Sequence, residues 1–120
     1  MRFIQQFGYT VKVGKDEAHQ QWLIDNDERI RAASPPGVKY IGTFTVVYSS
    51  EKSAGGYMAL FELDSYAAMD ASAAAAKEKD GDWAKFLRDV SQFFDLDLNA
   101  PWSSGLWKNV IDATIWDPKQ

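Results

Sequence analysis

Four stretches of this chain alternate in side-chain character with a period of two, and in none of them is one of the two alternating sets clearly polar. Residues 3–13 set Phe3, Phe7, Tyr9, Val11 and Val13, with Gln5 among them, against Ile4, Gln6, Gly8, Thr10 and Lys12. Residues 38–48 set Val38, Tyr40, Phe44, Val46 and Tyr48, with Gly42, against Ile41, Thr43, Thr45 and Val47. Residues 57–63 give Tyr57, Ala59, Phe61 and Leu63 against Met58, Leu60 and Glu62, and residues 106–116 carry large apolar groups on both sides. Period two reads as β-strand. An antiparallel sheet with one face in water would carry polar residues on that face. These strands do not, so both faces of the sheet should be covered.

Between the strands the period changes. From Asp16 to Ala33, the residues Ala18, Trp22, Asn26, Ile30 and Ala33 fall on one helical face, and Leu23 widens it. Asp16 and Glu17 occupy the first turn, where the positive end of the helix dipole favours carboxylates. Ser34-Pro35-Pro36-Gly37 stops this helix, because proline disfavours helical geometry in the residue before it. Residues 49–56 are polar and end in two glycines, which fits a hairpin loop. A helix is predicted over 66–77, with an alanine-rich middle, and another over 83–95, with Trp83, Phe86, Leu87, Val90, Phe93 and Phe94 in a wide apolar stripe. Residues 117–120 read as a tail.

The order is therefore strand, helix, strand, strand, two helix segments, strand. With right-handed crossovers this gives an α+β fold, a four-stranded antiparallel sheet of β-α-β-β-α-β type with helices on one face. The opposite face would be an apolar patch larger than monomers usually expose. Two copies stacked sheet to sheet would bury it, and a twofold homodimer is the commonest solution.

Composition narrows the partners. The chain has 120 residues, which suits a single domain spanning 1–120, and 46% of them are hydrophobic. A net charge of -4 and no basic cluster argue against nucleic acid. The absence of cysteine removes disulfides and thiolate chemistry, and no apolar run approaches the roughly 20 residues of a membrane helix. These absences favour a cytoplasmic protein with no membrane partner. Five tryptophans are more than so small a core needs, which points some of them to an interface or a pocket.

The strand-to-helix stretch Ala59-Leu60-Phe61-Glu62-Leu63-Asp64-Ser65-Tyr66-Ala67-Ala68, the helix start Asp80-Gly81-Asp82-Trp83 and the element order resemble the dimeric α/β-barrel superfamily. This is a ferredoxin-like group that includes antibiotic-biosynthesis monooxygenases and stress-responsive barrel proteins. The resemblance covers about residues 3–116. It implies a dimeric α/β barrel with a pocket between helices and sheet. Cofactor-free monooxygenases of the group place Trp, Tyr and Asn around a phenolic substrate, and Trp22, Asn26, Tyr57 and Trp107 are of those types. Cyclases of the group carry a histidine after the third strand. Here that stretch is Ala73-Ala74-Ala75-Ala76-Lys77-Glu78, which holds none.

His19 is the only histidine, three residues before Trp22 and seven before Asn26, so the three share a helix face. It could move a proton at a pocket mouth, or be a half-exposed residue of the first helical turn, and the second reading weighs more. One histidine cannot complete a metal site, and no metal or other cofactor is expected. Asn26 either orients a ligand or bonds the backbone nearby. Tyr9, Tyr40, Phe44, Tyr57, Phe61 and Trp107 could line one cavity, or simply pack core and interface. The candidate catalytic set is His19, Tyr57 and Asn26, and the candidate substrate-binding set is Trp22, Tyr40, Phe44, Trp107 and Tyr9. The functional expectation is a small-molecule enzyme with an aromatic-lined pocket: a cofactor-independent monooxygenase, isomerase or cyclase acting on a phenolic or polyketide-like compound. The alternative is a non-catalytic ligand-binding or dimeric assembly module.

Overall fold

A computed structural model describes residues 2–50, 56–97, 100 and 102–110. The elements are β1 (Phe3–Tyr9), α1 (Asp16–Ala33), β2 (Val38–Thr45), β3 (Tyr57–Leu63), α2 (Ala68–Lys77), α3 (Asp82–Ser91) and β4 (Ser103–Lys108). The strands form one antiparallel sheet in the order β2-β3-β1-β4. Each helical crossover thus skips a strand position that another strand fills, which is the split β-α-β arrangement of a ferredoxin-like fold.

Directly opposed residues share a face, so the register sorts the sheet. Phe3, Gln5, Phe7 and Tyr9 of β1 stand opposite Leu63, Phe61, Ala59 and Tyr57 of β3, and this face carries the helices. Leu63 and Ile30 are fully buried there, with Phe3, Trp83, Phe86 and Val90 around them. α3 supplies part of the cover. Its apolar stripe turns Trp83, Phe86 and Val90 inward, and Arg29 of α1 reaches Asp89 of α3 at 2.7 Å across the surface.

Four sequence expectations need correction. β1 stops at Tyr9, not residue 13, because the chain beyond it leaves the sheet and pairs with the segment after α3. The amide of Lys12 donates to the Phe93 carbonyl at 2.9 Å, and that of Asp95 to the Thr10 carbonyl at 2.8 Å. The same pairing ends α3 at Ser91 instead of residue 95. β4 begins at Ser103 and ends at Lys108; the predicted extension over 111–116 lies outside the described residues.

The fourth correction, in β2, matters most for the site. Tyr40 pairs with Phe61 but Gly42 pairs with Leu60, so Ile41 is an extra residue, a β-bulge. Gly42 takes φ 155° there. The pleat alternation reverses beyond it. Thr43 therefore joins Tyr40 on the helix side, and Phe44 turns to the outer face, where it is 50% exposed. Arg31 braces the bulge: its guanidinium donates to the Tyr40 carbonyl at 2.6 Å and pairs with Asp27 at 3.0 Å.

The loop before β2 turns on Gly37. Its φ of 80° is a left-handed conformation that a side chain disfavours. Its carbonyl accepts from the Asp64 amide at 3.0 Å, which ties the start of β2 to the end of β3.

Candidate functional site

A cavity of about 470 Å³ lies between the helix-side face of the sheet and the helices α2 and α3. Phe7, Ala59 and Phe61 form its sheet wall, and Trp83, Phe86, Leu87 and Val90 its α3 wall. The α2 wall is made of Met69, Ser72, Ala73 and Ala76, so the alanine run is what leaves room there. Such a volume lies within the range of about 300–1,000 Å³ usual for small-molecule pockets.

Tyr9, Tyr40 and Thr43 supply hydroxyl groups to this lining. The Tyr40 and Thr43 hydroxyls are 2.5 Å apart. The Tyr9 hydroxyl meets Nε2 of His19 at 2.6 Å. Two hydrogen-bonded pairs, Tyr40 with Thr43 and Tyr9 with His19, thus stand at this wall. A neutral imidazole can accept from Tyr9 in one tautomer and donate to it in the other.

Burial sets the protonation of these two pairs. His19 is 0% exposed, and burial lowers its pKa below the ordinary 6.5 against the opposing pull of Asp16. It is not the half-exposed residue expected. The inward face of α1 runs His19, Trp22, Leu23, Asn26 and Ile30, while Ala18, expected on that face, is exposed. The Nδ1 of His19 has no hydrogen-bond partner among the described residues. Burial pushes the Tyr9 phenol far above its ordinary range, the Tyr40 and Tyr57 phenols raise it further, and the nearby Thr43 hydroxyl opposes them. Burial raises Tyr40 too, partly offset by Thr43. Near neutral pH every member is uncharged.

The remaining candidates are placed elsewhere. Tyr57 is buried beside His19, with ring centroids 4.4 Å apart, but its hydroxyl is engaged with α1: it donates to Asp16 Oδ1 at 2.8 Å and accepts from Gln20 at 3.1 Å. Trp22 packs between α1 and α3, stacked on Phe86 at 6.1 Å. The Asn26 amide donates to the Trp22 carbonyl at 2.8 Å, and its oxygen accepts from Arg29 at 3.3 Å, so both of its polar ends are used locally. Phe44 and Trp107 lie on the outer face of the sheet, half exposed, and neither lines the cavity. Of the candidate residues, Tyr9 and Tyr40 border the cavity and His19 stands directly behind Tyr9. Sequence reasoning missed Thr43, Met69, Ser72 and the alanines of α2. An isolated glycine within a strand is a bulge signal, and Gly42 could have revealed Thr43.

Among the described residues no group of His, Asp and Glu could hold a metal ion, and no helix is long and apolar enough to cross a membrane.

Element order, sheet order and helix placement together define a ferredoxin-like α+β fold, and solved structures share it. A NIPSNAP family protein from Agrobacterium tumefaciens matches with a TM-score of 0.60 at 12% identity, over 100% of both chains. An uncharacterized NIPSNAP domain protein from Burkholderia xenovorans matches with a TM-score of 0.59 at 14% identity, over 95% of this chain and 99% of that one. Rv0793 from Mycobacterium tuberculosis matches with a TM-score of 0.54 at 11% identity, over 95% of this chain and 100% of its own. No family model and no curated protein matches the sequence. At such identities the likeness is one of fold, and it agrees with the resemblance to the ferredoxin-like dimeric α/β-barrel group.

Proposed function

We propose that the cavity binds a small aromatic organic molecule through its hydroxyl-bearing wall and that the Tyr9–His19 pair moves a proton there. The observation that carries this reading is the unbroken contact from the cavity lining, through Tyr9, to the one imidazole of the chain at 2.6 Å. Tyr9 is the group placed to touch the ligand. A substrate hydroxyl or enol would pass its proton to Tyr9 Oη as the phenol proton passes to His19 Nε2; the return step gives it back. A base whose neutral form is favoured by burial returns a proton readily, which suits tautomerisation or the deprotonation that opens a cofactor-independent oxygenation.

A second reading, a ligand-binding module without turnover, is favoured by one observation: His19 and Tyr57 are sealed behind the cavity wall. In either case the chain is read as one domain working as a cytoplasmic homodimer through the outer sheet face, where Phe44 and Trp107 lie half exposed.

Thermal unfolding with phenols, quinols and polyketide-like aromatic ketones tests the binding claim. A ligand at 100 times its Kd stabilises the folded state by about 2.7 kcal/mol, a visible rise in midpoint. Midpoints unmoved across the panel would sink the proposal. Given a binder that is turned over, Tyr9→Phe should abolish turnover while retaining binding; turnover that survives would remove the Tyr9–His19 pair from the chemistry.

A further inference from the structure

Among the described residues no charged side chain lines the cavity. Among the described residues that line it, the polar side chains are amides and hydroxyls, such as Gln5, Tyr9, Tyr40, Thr43 and Ser72. The nearby ions are committed elsewhere. The Arg31 guanidinium carbon lies 5.2 Å from the centre of the Tyr40 ring, but its nitrogens bond Asp27 and the carbonyls of Tyr40 and Ile41. Asp16 accepts from Tyr57, which does not line the cavity. An ion entering this space would give up hydration without meeting a counter-charge, whereas a neutral hydroxyl or carbonyl would find hydroxyl partners. Facing aromatic walls, Phe7 and Phe61 on the sheet and Trp83 and Phe86 on α3, suit a flat ring.

We propose that the cavity selects uncharged aromatic molecules bearing a hydroxyl or carbonyl group and rejects ionised analogues of the same shape. The proposal rests on the ligand-binding reading above and narrows it to a substrate class. It makes the tyrosine–threonine wall the determinant of selectivity, and α2 the determinant of size.

Titration calorimetry near neutral pH with naphthol, naphthamide, naphthoate and naphthylmethylammonium separates the two claims. These probes share a ring system and differ in charge. Naphthol and naphthamide are expected to bind, and both ions at least about 100-fold more weakly. Ala76→Leu should weaken naphthol binding by narrowing the cavity at its α2 wall; Ala76 is exposed and helical, so leucine suits the fold at that position. An ion that binds within about tenfold of naphthol overturns the charge selection and leaves the cavity as a binding site. Failure of all four probes, or naphthol binding untouched by Ala76→Leu, overturns the cavity as the site and the selectivity with it.

Discussion

Removing a single oxygen should reveal how much the Tyr9–His19 contact contributes to stability. In Tyr9→Phe the ring keeps its packing against Phe94 and Tyr57, with centroids at 4.4 and 5.8 Å, so little apolar contact is lost. What is lost is the partner of His19 Nε2. The imidazole is 0% exposed and its Nδ1 already has no partner among the described residues, so the substitution leaves both ring nitrogens without one. A buried polar group stripped of its partner costs about 1–3 kcal/mol. For a chain of this size that is a fall in Tm of about 4–12 °C. Urea unfolding followed by tryptophan fluorescence measures it directly. Adding His19→Leu removes the stranded imidazole as well, so the double variant should lose less than the two single losses combined by about 1 kcal/mol or more. A Tyr9→Phe variant within about 0.3 kcal/mol of the parent, or a strictly additive double variant, would refute the reasoning and detach His19 from the cavity wall.

Other perturbations have defined outcomes. His19 takes up its proton at lower pH in the folded chain than the ordinary 6.5 of the unfolded one, so its contribution to stability is complete above that pH and declines as the pH falls through the window below it. His19→Leu should flatten that part of the stability–pH profile, and an unchanged profile would contradict the burial effect. Gly37→Ala should cost about 1–3 kcal/mol in chemical denaturation, since φ is 80° and the new methyl would meet the Asp64 carboxylate at 2.7 Å and Ala68 at 3.3 Å. Gly14→Ala has a similar φ of 82° in open space, so it should cost less; equal losses would remove the steric part of the argument. Light scattering should give twice the 13.5 kDa chain mass for the parent and the single mass for a Phe44→Asp, Trp107→Asp variant, and a monomeric parent would exclude the sheet-to-sheet dimer.

Much of the fold was legible because the periods are clean. Strand alternation in β3 matches the alternating burial of Tyr57–Leu63 residue for residue, and the apolar spacing of α3 turns Trp83, Phe86 and Val90 inward as expected. Boundaries were less legible wherever the end of an element depends on a distant partner. Nothing local in residues 10–13 says that they leave the sheet to meet residues 93–95. The site was legible in part. Tyr9 and Tyr40 were chosen as strand aromatics on a shared face, and that face does carry the helices. Phe44 followed from uninterrupted alternation, which the bulge breaks. Trp107 followed from its size, whereas the register opposite Ile4 decides its side. Asn26 drew notice as a polar residue on an apolar helix face, and its own helix absorbs its hydrogen bonds. His19 was weighed as half exposed because the first turn of a helix is usually wet; a tyrosine at the end of the preceding strand gives it a buried partner.

Ile41 illustrates how unevenly information is spread along a chain. Many substitutions at that position would alter one side chain. Pairing Ile41 in the ladder without the bulge would alter the address of every residue up to the end of β2: Thr43 would be carried out to the solvent side and Phe44 brought in, and the ring would plug the space that the threonine now leaves open, whereas deleting it would leave both on their present sides. The lining of the cavity is therefore written partly in arithmetic, in whether the one extra residue between Tyr40 and Gly42 is set aside in a bulge or taken into the ladder.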